Sequence, residues 1–73
     1  MADELVPAID RYPNGRPRFR GQNLGGEMHG SWTFYRADGS VMREGSFDHD
    51  RQVGFWRTYA RDGRLVKETD FGA

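Results

Sequence analysis

Gly15, Gly39 and Gly63 stand 24 residues apart, and the match extends well beyond them. Gly21 aligns with Gly45, Gly30 with Gly54, Trp32 with Trp56 and Phe47 with Phe71, all at the same spacing. The three leading glycines close or nearly close related passages: Tyr12-Pro13-Asn14-Gly15-Arg16, Tyr35-Arg36-Ala37-Asp38-Gly39 and Tyr59-Ala60-Arg61-Asp62-Gly63. An internal period of roughly 20 to 50 residues marks one supersecondary unit used repeatedly, none of which buries its apolar face alone. A chain of 73 residues has room for three such units.

The unit reads as a β-hairpin. No stretch carries apolar residues at helical spacing over two turns, whereas aromatic and β-branched residues fall in short runs bounded by turn residues. Asn14-Gly15, Asp38-Gly39 and Asp62-Gly63 each separate two extended runs, and such dipeptides supply the positive φ that tight hairpins need. The strands are expected at about 8–12 and 16–22, 31–36 and 41–47, and 55–60 and 65–71, with glycine-rich linkers at 23–30 and 48–54. The fold expected is a single all-β domain over 1–73. It is one antiparallel meander of about six strands, built from hairpin repeats at about 8–30, 31–54 and 55–71. Register is open by one residue: Pro13 suits a type I turn with a glycine bulge, and a two-residue turn suits the others equally. In the two-residue register Arg57 faces Glu68 and Trp32 faces Gly45, so a ring covers a glycine. Alternation puts Trp32 and Phe34 on one face and Tyr35 on the other, and likewise separates Trp56 from Tyr59. A lone sheet with aromatic residues on both faces needs strong twist or curvature, a second copy, or both.

Composition narrows the function classes. Eleven basic and eleven acidic residues cancel, which disfavours a general nucleic-acid binder. The chain has no cysteine, so no disulfide or thiolate-ligated zinc staples it. Met1-Ala2-Asp3-Glu4-Leu5-Val6-Pro7 has neither a basic leader nor a long apolar run, so a cytoplasmic protein is expected.

Gly30-Ser31-Trp32-Thr33-Phe34-Tyr35 and Gly54-Phe55-Trp56-Arg57-Thr58-Tyr59 each precede an Asp-Gly turn and a second strand. They resemble the bacterial variant of the membrane occupation and recognition nexus (MORN) repeat, over residues 12–71. The first copy lacks a Gly-x-Trp ahead of Tyr12, and Thr69 replaces the glycine found at 21 and 45, as suits terminal capping units. The resemblance implies a non-catalytic scaffold that binds protein. It also implies two alternatives: association with membrane lipid, and an antitoxin-type partner that neutralises a toxin.

Side chains with chemical potential are few. Asp48-His49-Asp50 sets a histidine between carboxylates, a pattern that suits a divalent metal or a base, but neighbours on a strand point apart, so a polar linker is the preferred reading, and His29 reads as a surface residue; no metal, cofactor, catalytic residue or small-molecule substrate is expected. Arg16, Arg18 and Arg20 alternate with Pro17 and Phe19, which projects three guanidinium groups from one face of a strand. That row suits an anionic lipid or nucleic acid, or else a solvated sheet edge that discourages aggregation, and the edge is the preferred reading. Trp32, Tyr35, Trp56 and Tyr59 complete the candidate interaction surface, whose expected partner is a protein, with a second copy as one candidate; packing of these rings within the sheet or across a dimer is preferred to ligand contact.

Overall fold

In the computed structural model, which describes residues 4–73, the chain forms one open antiparallel sheet. The N-terminal reading above therefore falls partly outside it, since Met1, Ala2 and Asp3 are not described. The strands are β1 (Leu5–Arg11), β2 (Pro17–Leu24), β3 (Glu27–Met28), β4 (Gly30–Tyr35), β5 (Val41–Asp48), β6 (Arg51–Tyr59) and β7 (Leu65–Asp70). Their order in the sheet is β1-β2-β4-β5-β6-β7, with β3 paired to β2 beside β4. The expected curved meander of hairpins is what forms. Six strands become seven because the strand equivalent to β6 is interrupted at His29 into β3 and β4. β2 pairs with both pieces in the register that β5 keeps with β6.

All three hairpin turns take one form. The N–H of Gly15 donates to Tyr12 O, and the N–H of Tyr12 donates to Arg16 O; the same pair of bonds recurs at Arg36, Gly39 and Ser40 and at Ala60, Gly63 and Arg64. This is a type I turn closed by a glycine with φ near +90°, a region open to glycine at little cost. The side chain of Asn14, Asp38 or Asp62 accepts the N–H two residues on, at 2.9 Å each time. Such a turn adds one residue to the loop, yet Trp32 faces Gly45 and Arg57 faces Glu68 as a two-residue turn would have it. The reason is a second bulge. Arg18, Met42 and Val66 are skipped in the ladders, again 24 residues apart, and each restores the register that the turn has shifted.

The linkers are shorter than the sequence suggests. Strand pairing runs to Leu24–Glu27 and to Asp48–Arg51, leaving two-residue turns at Gly25-Gly26 and His49-Asp50. All four residues have positive φ, the signature of a type I′ turn, and in the second turn His49 and Asp50 accept it without being glycine.

The core is one face of this single layer. The molecule measures 43 × 31 × 11 Å, so no second layer covers the sheet. Trp32 is 3% exposed and Trp56 5%, because each indole lies on the backbone of the neighbouring strand. A Cβ added at Gly21 would come within 2.1 Å of the Trp32 ring, and one at Gly45 within 2.1 Å of Trp56. Each indole N–H donates to the carbonyl just past its glycine, Gln22 O and Ser46 O, both at 3.1 Å. Phe47 stands edge-on between the two indoles, with ring centroids at 6.0 and 5.0 Å. Phe19, Phe34, Met28 and Ala8 complete the cluster. The opposite face carries a polar row in register, Arg20, Thr33, Glu44, Arg57 and Glu68, with Ile9 at its end.

Candidate interaction surface

The residues singled out in the sequence do not form one surface. Trp32 and Trp56 are inside the sheet's own aromatic layer, in keeping with packing within the sheet and not with a part in an exposed contact surface: a ring that lies on glycine is covered without a partner. Tyr35 and Tyr59 are half-buried. The Tyr59 hydroxyl donates to Glu44 Oε1 at 2.6 Å, and that bond to a carboxylate, followed by partial burial, raises the phenol above its ordinary 10.0.

The arginine row is also corrected. Arg18 is the bulged residue of β2, so alternation fails at that point. Its Nε lies 3.4 Å from Asp10 Oδ2, on the face shared by Asp10 and Phe19, and its guanidinium sits 5.3 Å from the Tyr12 ring centroid. Arg20 belongs to the opposite face, in the polar row. Arg16 reaches sideways to the carbonyl of Asp38 in the next turn. Three guanidinium groups that act in three directions make no common anion site.

Contacts of that third kind recur along the edge carrying the three turns. Tyr12 donates its hydroxyl to Tyr35 O at 2.7 Å, and 24 residues later Arg36 donates to Tyr59 O at 2.6 Å. Tyr12 thus fills the position of Arg36 and not that of Tyr35. Asn14 adds a bond to Ala37 O at 2.9 Å, and Arg61 approaches Asp38 at 3.7 Å. The Asp38 carboxyl, bonded by both the hydroxyl and the N–H of Ser40, is held below its ordinary 3.8.

Two further features emerge, the first not found in the sequence and the second foreseen there only as the separate Asp48-His49-Asp50 run and His29. The first is a hollow on the aromatic face at the first hairpin, about 650 Å³, bordered by Ala8, Phe19, Asn23, Met28, Trp32 and Phe34. Its origin lies in the repeat. Ala8 stands where the later units have Trp32 and Trp56, and Asn23 where they have Phe47 and Phe71. Phe47 packs against Trp56, and the smaller, polar Asn23 takes that place beside Trp32, whose ring is nonetheless only 3% exposed, so the hollow lies above Asn23 and Ala8 and meets only the rim of the indole. Carrying the 24-residue alignment back to positions 8 and 23 is the step that would have found it.

The second is a polar cluster between the linkers. Met28 N–H donates to Asp50 Oδ1 at 2.7 Å and Asp50 N–H to Met28 O at 2.9 Å, which fastens the second linker turn onto β3. The His29 and His49 rings thereby meet with centroids 4.8 Å apart, His29 Nδ1 lies 3.7 Å from Asp48 Oδ1, and His49 Nδ1 lies 3.3 Å from Glu27 Oε1. No spacing within the chain announces this, because the histidines are not equivalent positions of the repeat.

Among the described residues, no helix is long and apolar enough to cross a membrane. Set against protein-family models, curated proteins and solved structures, the chain matches none of them.

Proposed function

We propose that this chain is a non-catalytic β-hairpin repeat module that binds a partner protein by receiving one of its aromatic side chains in the hollow beside Trp32. The observation that supports this is the repeat itself. The second and third units fill the equivalent positions with Trp32 and Phe47 and with Trp56 and Phe71, whereas the first has Ala8 and Asn23 there. The hollow is therefore shaped by aromatic neighbours and lined by Phe19, Phe34 and the Trp32 ring, surfaces against which a further ring packs edge-on or offset. An apolar hollow with a few polar groups at its border, here Asp10 and Asn23, is the usual form of a binding site.

The test uses N-acetyl-tryptophan amide as a probe, titrated against labelled protein and followed by NMR. Saturable shifts confined to Phe19, Met28 and Trp32 are expected, with a dissociation constant on the order of 1 mM for so small a ligand. Asn23→Phe fills the hollow with the residue of the later repeats; it should abolish those shifts and raise the melting temperature. An unfilled wild-type hollow that gives no saturable shift, or equal shifts in the variant, overturns the reading.

A further inference from the structure

We propose that His29, Asp48 and His49 form a binding site for a divalent transition-metal ion, best matched by Zn²⁺, which joins the first linker to the second. The three side chains each offer a ligand atom, and these atoms all lie within 4.8 Å of one another. Tetrahedral zinc with bonds of about 2.0–2.1 Å sets its ligand atoms about 3.4 Å apart. The separation of His29 Nδ1 from Asp48 Oδ1, 3.7 Å, is already near that edge length; His29 Nδ1 also accepts the His49 N–H at 3.3 Å, a bond that coordination through this nitrogen replaces, and rotation of the half-buried His29 and Asp48 and the exposed His49 closes the remainder.

The chemistry of the set favours a borderline cation over calcium or magnesium. Two imidazoles and one carboxylate suit zinc, cobalt or nickel, whereas the alkaline-earth ions take oxygen ligands. Glu27 supplies what a metal-bound histidine ordinarily has, a carboxylate at 3.3 Å from the nitrogen that faces away from the metal. With His49 Nδ1 turned to Glu27, Nε2 is the nitrogen left for the ion. Asp48 presents Oδ1 to the site while its Oδ2 lies 3.6 Å from Arg51. Glu27 and Asp48 together contribute two negative charges against the single positive charge of Arg51. Asp50 is already engaged by the Met28 N–H and positions the turn instead of coordinating.

The backbone fixes where His49 stands. His49 and Asp50 hold φ of 48° and 69°, where the equivalent turn of the first linker uses Gly25 and Gly26. His49 and Asp50 are central residues of a type I′ turn, which requires positive φ, and Asp and His are among the residue types that adopt it most readily. Here that conformation is what turns His49 back towards His29.

Isothermal titration of Zn²⁺ into the full chain, free of any affinity tag and stripped with chelator, tests the site at pH 7.5. One ion per chain is expected, with Mg²⁺ failing to compete. His29→Gln and His49→Asn should each weaken binding at least tenfold, asparagine being chosen at 49 because it tolerates the left-handed backbone. Far-UV circular dichroism confirms that the variants fold, and melting with and without Zn²⁺ gives a second readout: a rise for wild type, none for either variant. Failure of wild type to bind, or variants that bind Zn²⁺ as well as wild type, overturns the proposal.

Discussion

At the scale of single residues, Gly45 and Tyr59 carry consequences out of proportion to their size. Gly45 is the floor on which Trp56 lies, and a methyl group there would stand 2.1 Å from the indole, so the ring has to leave. Gly45→Ala should destabilise the protein by about 3 kcal/mol, the upper range for overpacking, as measured by urea unfolding followed by tryptophan fluorescence. Thr69 occupies the corresponding place opposite Trp56, with no ring lying on it, and Thr69→Gly should change stability by less than about 1 kcal/mol in the same experiment. Tyr59 links stability to alkaline pH. Because its bond to Glu44 favours the neutral phenol, the folded-state value is raised, and the stability this bond confers is complete below the ordinary 10.0. It is lost as pH rises through the folded value. A phenolate absorbance titration should show the Tyr59 step move back towards 10.0 in Glu44→Gln.

At the scale of elements, the hairpin is legible in the sequence because its turn chemistry is local. Asn14-Gly15, Asp38-Gly39 and Asp62-Gly63 each specify a turn by the φ that glycine allows and the N–H that the preceding side chain accepts. The compensation at Arg18, Met42 and Val66 is not legible, since a bulge has no residue preference strong enough to announce it, and it is the reason the three arginines of β2 diverge. The linkers are shorter than expected for a related reason: Asp48, Arg51, Gln52 and Val53 continue the ladder, as Asp48–Arg51, Phe47–Gln52 and Ser46–Val53 pairs, despite their polar, glycine-containing context. Hydrogen exchange should follow the order of strands. Amides of β4 and β5, paired on both sides and covered by Trp32 and Phe47, are expected to exchange slowest, and those of β1 and β7, each paired on one side, fastest. Mass spectrometry of deuterium uptake checks the ranking.

At the scale of the whole molecule, the repeat predicts an array whose units lean on one another, and the contacts bear this out. Tyr12 and Arg36 each reach the next turn, and each indole lies on the preceding hairpin. What the period did not convey is that the sheet covers its own face by laying its indoles flat, so that Trp32 and Trp56 need no second layer. Nor did it show the two places where the pattern lapses into something useful, the hollow left by Ala8 and Asn23 and the histidine pair between the linkers. Both arise from residues that break the alignment, which is where a repeat carries least information. The order of the strands has a mechanical consequence. Since β1 and β7 lie at opposite edges, a pull between the two ends of the sheet acts across the ladders, loading their hydrogen bonds in succession instead of in parallel. Under tension the molecule is an extensible link that yields one 24-residue hairpin at a time, each releasing about 80 Å of chain.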